Sequence, residues 1–204
     1  MLETVSASLT ENPSWLFALL GTLILLLFVL YTRKIRFTPS MLVQIALAVA
    51  LTSLLHFVRI YHFPQGGSVT LGAMIPLLLL SFRYGPGIGM LGGFLFGVLN
   101  LALDPFILHP VQVLFDYPLP MMAMGVAGFF HRHVLLSTVA AFFCRFLCHF
   151  TSGIVFFASY APEGMSPALY SLSVNGSILA AECLVCCLIL KFLPLQRLMS
   201  TWKS

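Results

Sequence analysis

Seven polar side chains interrupt the apolar runs of this sequence: Asp116 and Tyr117, Arg145 and His149, Tyr170 and Asn175, and Glu182. Arg145 and His149 are four residues apart, so on a helix they share a face. An acid, an imidazole, an amide and two phenols make a set suited to binding. The acid offsets a positive charge, nearby rings stack or make cation–π contacts, and the amide and hydroxyls fix orientation. A small, flat, cationic heteroaromatic is the ligand class such a set fits. Each residue also has a plainer use. Asp116 could pair with Arg145 as a structural bridge, and His149 could be a hydrogen-bonded core histidine. The tyrosines could belong to an interfacial belt, and Asn175 could join two helices. Glu182 could carry a proton, hydrogen-bond a neighbouring helix, or pair with Arg145 if their depths agree.

Catalysis has weaker support. Cys148 and His149 are the nearest approach to a nucleophile and base, but adjacent helical residues point about 100° apart. Cys144 and Cys148, one turn apart, could suit a metal; with no motif of the usual ligand spacing, all five cysteines read as reduced, buried small hydrophobes. No Gly-Lys-Ser/Thr phosphate loop is present, so the chain is not expected to hydrolyse ATP. The expectation is a protein without cofactor, metal or enzymatic activity.

The elements that position these residues must lie in lipid. The chain is 60% hydrophobic and 8% charged, with a mean hydropathy of +1.02. That indicates an integral membrane protein, all-α because backbone exposed to lipid must satisfy itself. The net charge of +4 reflects topology and not nucleic-acid binding. Seven apolar segments can be marked, at about 14–32, 40–60, 69–82, 86–103, 111–130, 134–158 and 167–193. The first carries its positive charges after the apolar run, so it reads as a retained helix and not as a signal peptide.

Basic residues give the orientation. Arg33, Lys34 and Arg36, then Arg83, then Arg132, then Lys191, Arg197 and Lys203 occupy alternate connections. All fall on one side, which should be the cytoplasm. Glu3, Glu11, Asp104 and Glu163 fall on the other. Seven spans follow, with the N-terminus outside and the C-terminus inside; only Arg59 and Arg145 break the pattern. In this frame Asp116, Tyr117, Arg145, His149, Tyr170 and Asn175 share a depth near the external face. The loop Pro64-Gln65-Gly66-Gly67-Ser68 lies above them, with Phe156 and Phe157 at the end of the sixth segment. Gly85, Gly89, Gly93 and Gly97 form a smooth ridge for close packing, and Ala46 and Ala50 make a smaller pair of the same kind.

Four stretches carry a family resemblance: "PQGGSVTLGAMIPLLLLSFRYGP" (64–86), "HPVQVLFDYPL" (109–119), "CHFTSGIVFFASYAPEG" (148–164) and "LYSLSVNG" (169–176). In order and spacing they resemble the thiamine-binding ThiT family, the substrate-binding S-components of energy-coupling factor (ECF) transporters. The resemblance runs from about residue 40 to the end of the seventh segment. It implies a six-helix bundle with a vitamin site near the external face, here preceded by one additional transmembrane helix. Residues 1–36 are then the extra helix with its basic linker, and residues 37–204 the substrate-binding membrane domain.

The resemblance further implies that Asp116, Tyr117, His149, Gly153, Phe157, Tyr170 and Asn175 bind substrate. Gln65 and Gly66 lie in the first external loop, which closes over the ligand, with Tyr61 nearby. Asp116 stands where some members have Glu, and Phe157 where some have Trp. An AxxxA pair in the first family helix contacts the coupling subunit, which gives Ala46 and Ala50 a partner. The function implied is capture of thiamine from outside the cell. The partners are a transmembrane coupling subunit and two cytoplasmic ATPase subunits in the cell membrane. The competing expectation is a stand-alone transporter coupled to protons through Asp116, His149 or Glu182, although the sequence shows no inverted repeat.

Overall fold

Proline marks where the helices begin. Pro39, Pro86, Pro110, Pro118 and Pro167 each open a helix, a position where the missing N–H costs nothing and the fixed φ is already helical. The computed structural model describes residues 14–62, 67–130 and 133–195. In chain order these form α1 (Ser14–Thr32), α2 (Pro39–Phe57), β1 (Arg59–His62), β2 (Ser68–Thr70), α3 (Ile75–Tyr84), α4 (Pro86–Leu103), α5 (Pro110–Asp116) and α6 (Pro118–Met122). A 3-10 helix (Ala123–Phe130), α7 (Val134–Phe156), a 3-10 turn (Ala158–Tyr160) and α8 (Pro167–Phe192) complete the described chain. Thr38 and Ser166 cap α2 and α8, accepting hydrogen bonds from the N–H groups of Met41 and Leu169.

Among the described residues, six apolar stretches of helix, 18 to 26 residues long, have the length and hydropathy to cross a membrane. At 1.5 Å per residue they are about 27 to 39 Å long, against a hydrocarbon core of about 30 Å. The seventh expected span is not one of them. The apolar run at 69–82 is two elements: β2, then a turn through Gly72 at φ +78°, then the ten-residue α3. At about 15 Å, α3 is half a bilayer long. It survives because protein encloses it. Ala73, Met74, Leu77 and Leu78 are fully buried in the central core with Phe82, Phe96, Met124 and Ala127.

The fifth segment is also not one helix. Tyr117 leaves helical geometry at φ −118°, ψ −80°, because the Pro118 ring crowds the residue before it. α5 therefore stops at Asp116, and α6 and the 3-10 helix continue the crossing in a different winding. The glycine ridge of α4 accommodates this irregular segment. A Cβ on Gly93 would lie 2.1 Å from the Met121 carbonyl oxygen, and one on Gly97 would lie 2.6 Å from that of Tyr117. On Gly89 it would strike Ser81 Oγ. Gly85 is not part of the ridge: it is a link at φ +82° with nothing within 4 Å of its Cβ position. Gly93→Ala should lower stability by about 1–3 kcal/mol, the usual cost of overpacking against atoms that cannot move aside. Thermal unfolding in detergent would show it, and an unchanged transition would mean that the segment can shift.

α1 lies beside the bundle on α4 and α5. Phe17 meets Phe115 edge-on at 5.6 Å, and Phe28 lies 5.8 Å from Phe94. Gly21 brings its backbone against Leu114 and Phe115. Much of the rest of α1 is exposed apolar surface, as is much of α2, where only Ile45 and Thr52 are buried. Ala46 and Ala50 sit on that exposed face of α2.

Candidate ligand-binding site

α7 and α8 run antiparallel, and their contacts form a ladder that advances one turn at a time along α7. At the first rung, a Cβ on Gly153 would lie 2.2 Å from Ser171 Oγ, so only glycine permits this approach. Ser171 Oγ donates to the Phe150 carbonyl at 2.9 Å. One turn on, the Asn175 amide donates to the His149 carbonyl at 3.3 Å and to Ser171 Oγ at 3.1 Å. Further along, Arg145 Nη1 donates to Glu182 Oε2 at 2.8 Å. Glu182 Oε1 accepts from Thr70 of β2 at 2.6 Å. This network is nearly dry: Glu182 is 1% exposed and Arg145 6%. Arg145 thus pairs with Glu182 and not with Asp116. The other basic exception, Arg59, meets Asp104 at 2.5 Å.

Asp116 faces α7. Its Oδ1 lies 3.3 Å from His149 Nδ1, and its Oδ2 accepts from Gln112 Nε2 at 2.5 Å. Tyr117 serves the loop between α4 and α5: its hydroxyl donates to the Asp104 carbonyl at 2.9 Å and accepts from Phe106 N–H at 2.6 Å. That loop brings Phe106 into a stack on Phe157, with ring centroids 5.9 Å apart and planes 18° apart; Tyr160 lies 5.6 Å beyond Phe157.

Between these groups is a cavity of about 450 Å³, within the size range of small-molecule sites. Asp116, Tyr117, His149, Gly153, Phe157, Tyr170 and Asn175 all line it, as does Gly67 at the base of the β1–β2 connection. Gln65 and Gly66 lie outside the described residues. Tyr61, expected near the site, does not line the cavity and is 56% exposed. Phe156 is not on the cavity either; it stacks on His109 at 5.1 Å. Cys148, adjacent to His149, packs against the cluster of Phe28, Phe115, Leu119 and Met122 while His149 faces Asp116, so the two do not converge.

Sequence reasoning missed Gln112, His56, Asn100 and Phe106, which also line the cavity. For Gln112 the signal was available: it stands four residues before Asp116, the spacing at which a helical amide and carboxylate bond.

Fold and site together define a class: an integral membrane protein whose helices enclose a pocket for a small ligand, with an acid, an imidazole, an amide and stacked rings on its wall. Within that class, the model of the thiamine transporter protein family (Thia_YuaJ) matches residues 42–201. The chain belongs to that family, whose members are transporters and not enzymes. It is 34% identical over 184 residues to the thiamine transporter ThiT of Bacillus subtilis strain 168, an alignment covering 80% of this chain and 95% of that one. To the thiamine transporter ThiT of Lacticaseibacillus paracasei it is 29% identical over 123 residues, 50% of this chain and 61% of the relative. The solved structure of ThiT from Listeria monocytogenes has the same fold. It superposes with a TM-score of 0.70 at 24% identity, covering 77% of this chain and 93% of the other.

Proposed function

We propose that the chain captures thiamine from outside the cell, as the substrate-binding subunit of an ATP-driven ECF transporter in the cell membrane. The observation that carries the reading is the charge balance of the cavity. Arg59 is matched by Asp104 and Arg145 by Glu182, which leaves the Asp116 carboxylate, with His149 beside it, to meet a cation. The thiazolium of thiamine supplies that positive charge in a flat ring. Phe157, Tyr170 and the Asn175 amide supply stacking and orientation. Asp116 in place of a longer Glu reaches less far, so its contact with the ring is direct or through one water.

In this reading residues 1–36 form an added helix and linker, and residues 37–204 the binding domain. β2 and α3 together make the third crossing inside the bundle. The N-terminus is then outside, the C-terminus inside, and the cavity opens outward. Ala46 and Ala50, small and exposed on α2, are the surface for a transmembrane coupling subunit that joins two cytoplasmic ATPase subunits. Proton coupling through Glu182 is disfavoured because both its oxygens are engaged.

Isothermal titration of the purified protein with thiamine tests the proposal. Tight saturable binding is expected; an affinity no tighter than millimolar would sink it. Titrating the phosphate esters and the bare pyrimidine alongside separates thiamine from its relatives.

A further inference from the structure

Gln112 is 1% exposed and touches two parts of the site at once. Its amide orientation is set by its neighbours. The Leu108 N–H can only donate, so Oε1 accepts it, at 3.1 Å. The two hydrogens of Nε2 are then directed to the Phe106 carbonyl at 3.2 Å and to Asp116 Oδ2 at 2.5 Å. Every hydrogen of the amide is used. One oxygen of Asp116 is thereby held, and the other is left on the side of His149 and the cavity. The same amide pins the loop that carries Phe106 onto Phe157.

We infer that Gln112 is a positioning and specificity residue of the site: it fixes the Asp116 carboxylate with one oxygen turned to the cavity, and so makes the pocket select a cation. The assignment rests on the reading that this pocket takes thiamine. A short Asp side chain needs such an anchor, because rotation about its bonds would otherwise turn the carboxylate away from a flat ligand. A residue that merely shaped the loop would affect charged and uncharged ligands alike. A residue that acts through Asp116 would not.

A double-mutant cycle distinguishes the two roles. Thiamine, and an uncharged isostere with thiophene in place of thiazolium, are titrated into the unsubstituted protein, Gln112→Leu, Asp116→Asn and the double variant, with thermal unfolding to check that each folds. Gln112→Leu should weaken thiamine binding about tenfold when Asp116 is present and less than about threefold when residue 116 is Asn, with the isostere also changing less than about threefold. Should the Leu variant fail to fold, Gln112→Asn enters the same cycle, since it keeps a buried amide but is one methylene too short for Asp116. Equal losses in both backgrounds, equal losses for both ligands, or no loss at all overturn the assignment and leave the thiamine reading intact. Failure of the unsubstituted protein to bind thiamine overturns both.

Discussion

Asp116→Asn should weaken thiamine binding by about 10- to 150-fold, the range expected when a hydrogen-bonded charge of about 1.5–3 kcal/mol is neutralised. The substitution keeps size and shape, so the loss isolates charge. Asp116 lies at the end of α5, where His149 and Gln112 hold it and two arginines of the same cavity are already matched by Asp104 and Glu182. In the proposed reading, an incoming cation has Asp116 as its counter-charge. The gap between thiamine and its thiophene isostere should narrow in the variant. Isothermal titration measures both, and an unchanged thiamine affinity would remove Asp116 from the site.

The second large effect is on stability. Glu182→Ala should destabilise the protein by about 3–5 kcal/mol, because it leaves the Arg145 guanidinium buried without its counter-charge. The penalty is large because Arg145 is only 6% exposed, so little solvent can replace the lost carboxylate. The transition measured by thermal unfolding in detergent should fall by on the order of 10 °C. Arg145→Met combined with Glu182→Leu should recover most of the loss, since a matched apolar pair carries no unpaired charge. The recovery separates loss of the ion pair from loss of packing. If the single variant melts with the unsubstituted protein, Arg145 has found another acceptor. The Thr70 hydroxyl also loses the acceptor of its proton in the variant and keeps only the Ala73 N–H, so β2 loosens beside the cavity it helps to line.

Much of the fold could be read because hydropathy reports lipid directly. Five of the seven apolar segments are full-length, nearly unbroken helices, and the polar residues judged to share a depth do line one cavity. The reading faltered where an apolar run hides a change of backbone. At 69–82, β2 and α3 are both apolar, and periodicity cannot separate a buried strand from a buried helix. In "DYPLP" the two prolines were visible, but the hydropathy of 111–130 carried the reading through them. The partner of Arg145 depended on helix register. Gly153 against Ser171 and His149 against Asn175 bring Arg145 level with Leu179, from where its long side chain reaches Glu182 about one turn on, but that register follows the connection through Ala158–Tyr160, whose geometry the sequence does not show. For Gln112 the spacing from Asp116 was sufficient.

The break at Tyr117 has an electrical consequence. Pro118 and Pro120 have no N–H, so the carbonyls of Leu114 and Asp116 have no helical donor four residues ahead. α5 thus presents the negative end of its peptide dipoles at the point where the Asp116 carboxylate sits. Interrupted helices in transporters offer cations this same kind of backbone end. The freed Asp116 carbonyl would add main-chain negative potential beside the carboxylate, and that part survives any change of side chain. The Asp116→Asn protein should accordingly still rank thiamine above its uncharged isostere, by a smaller margin.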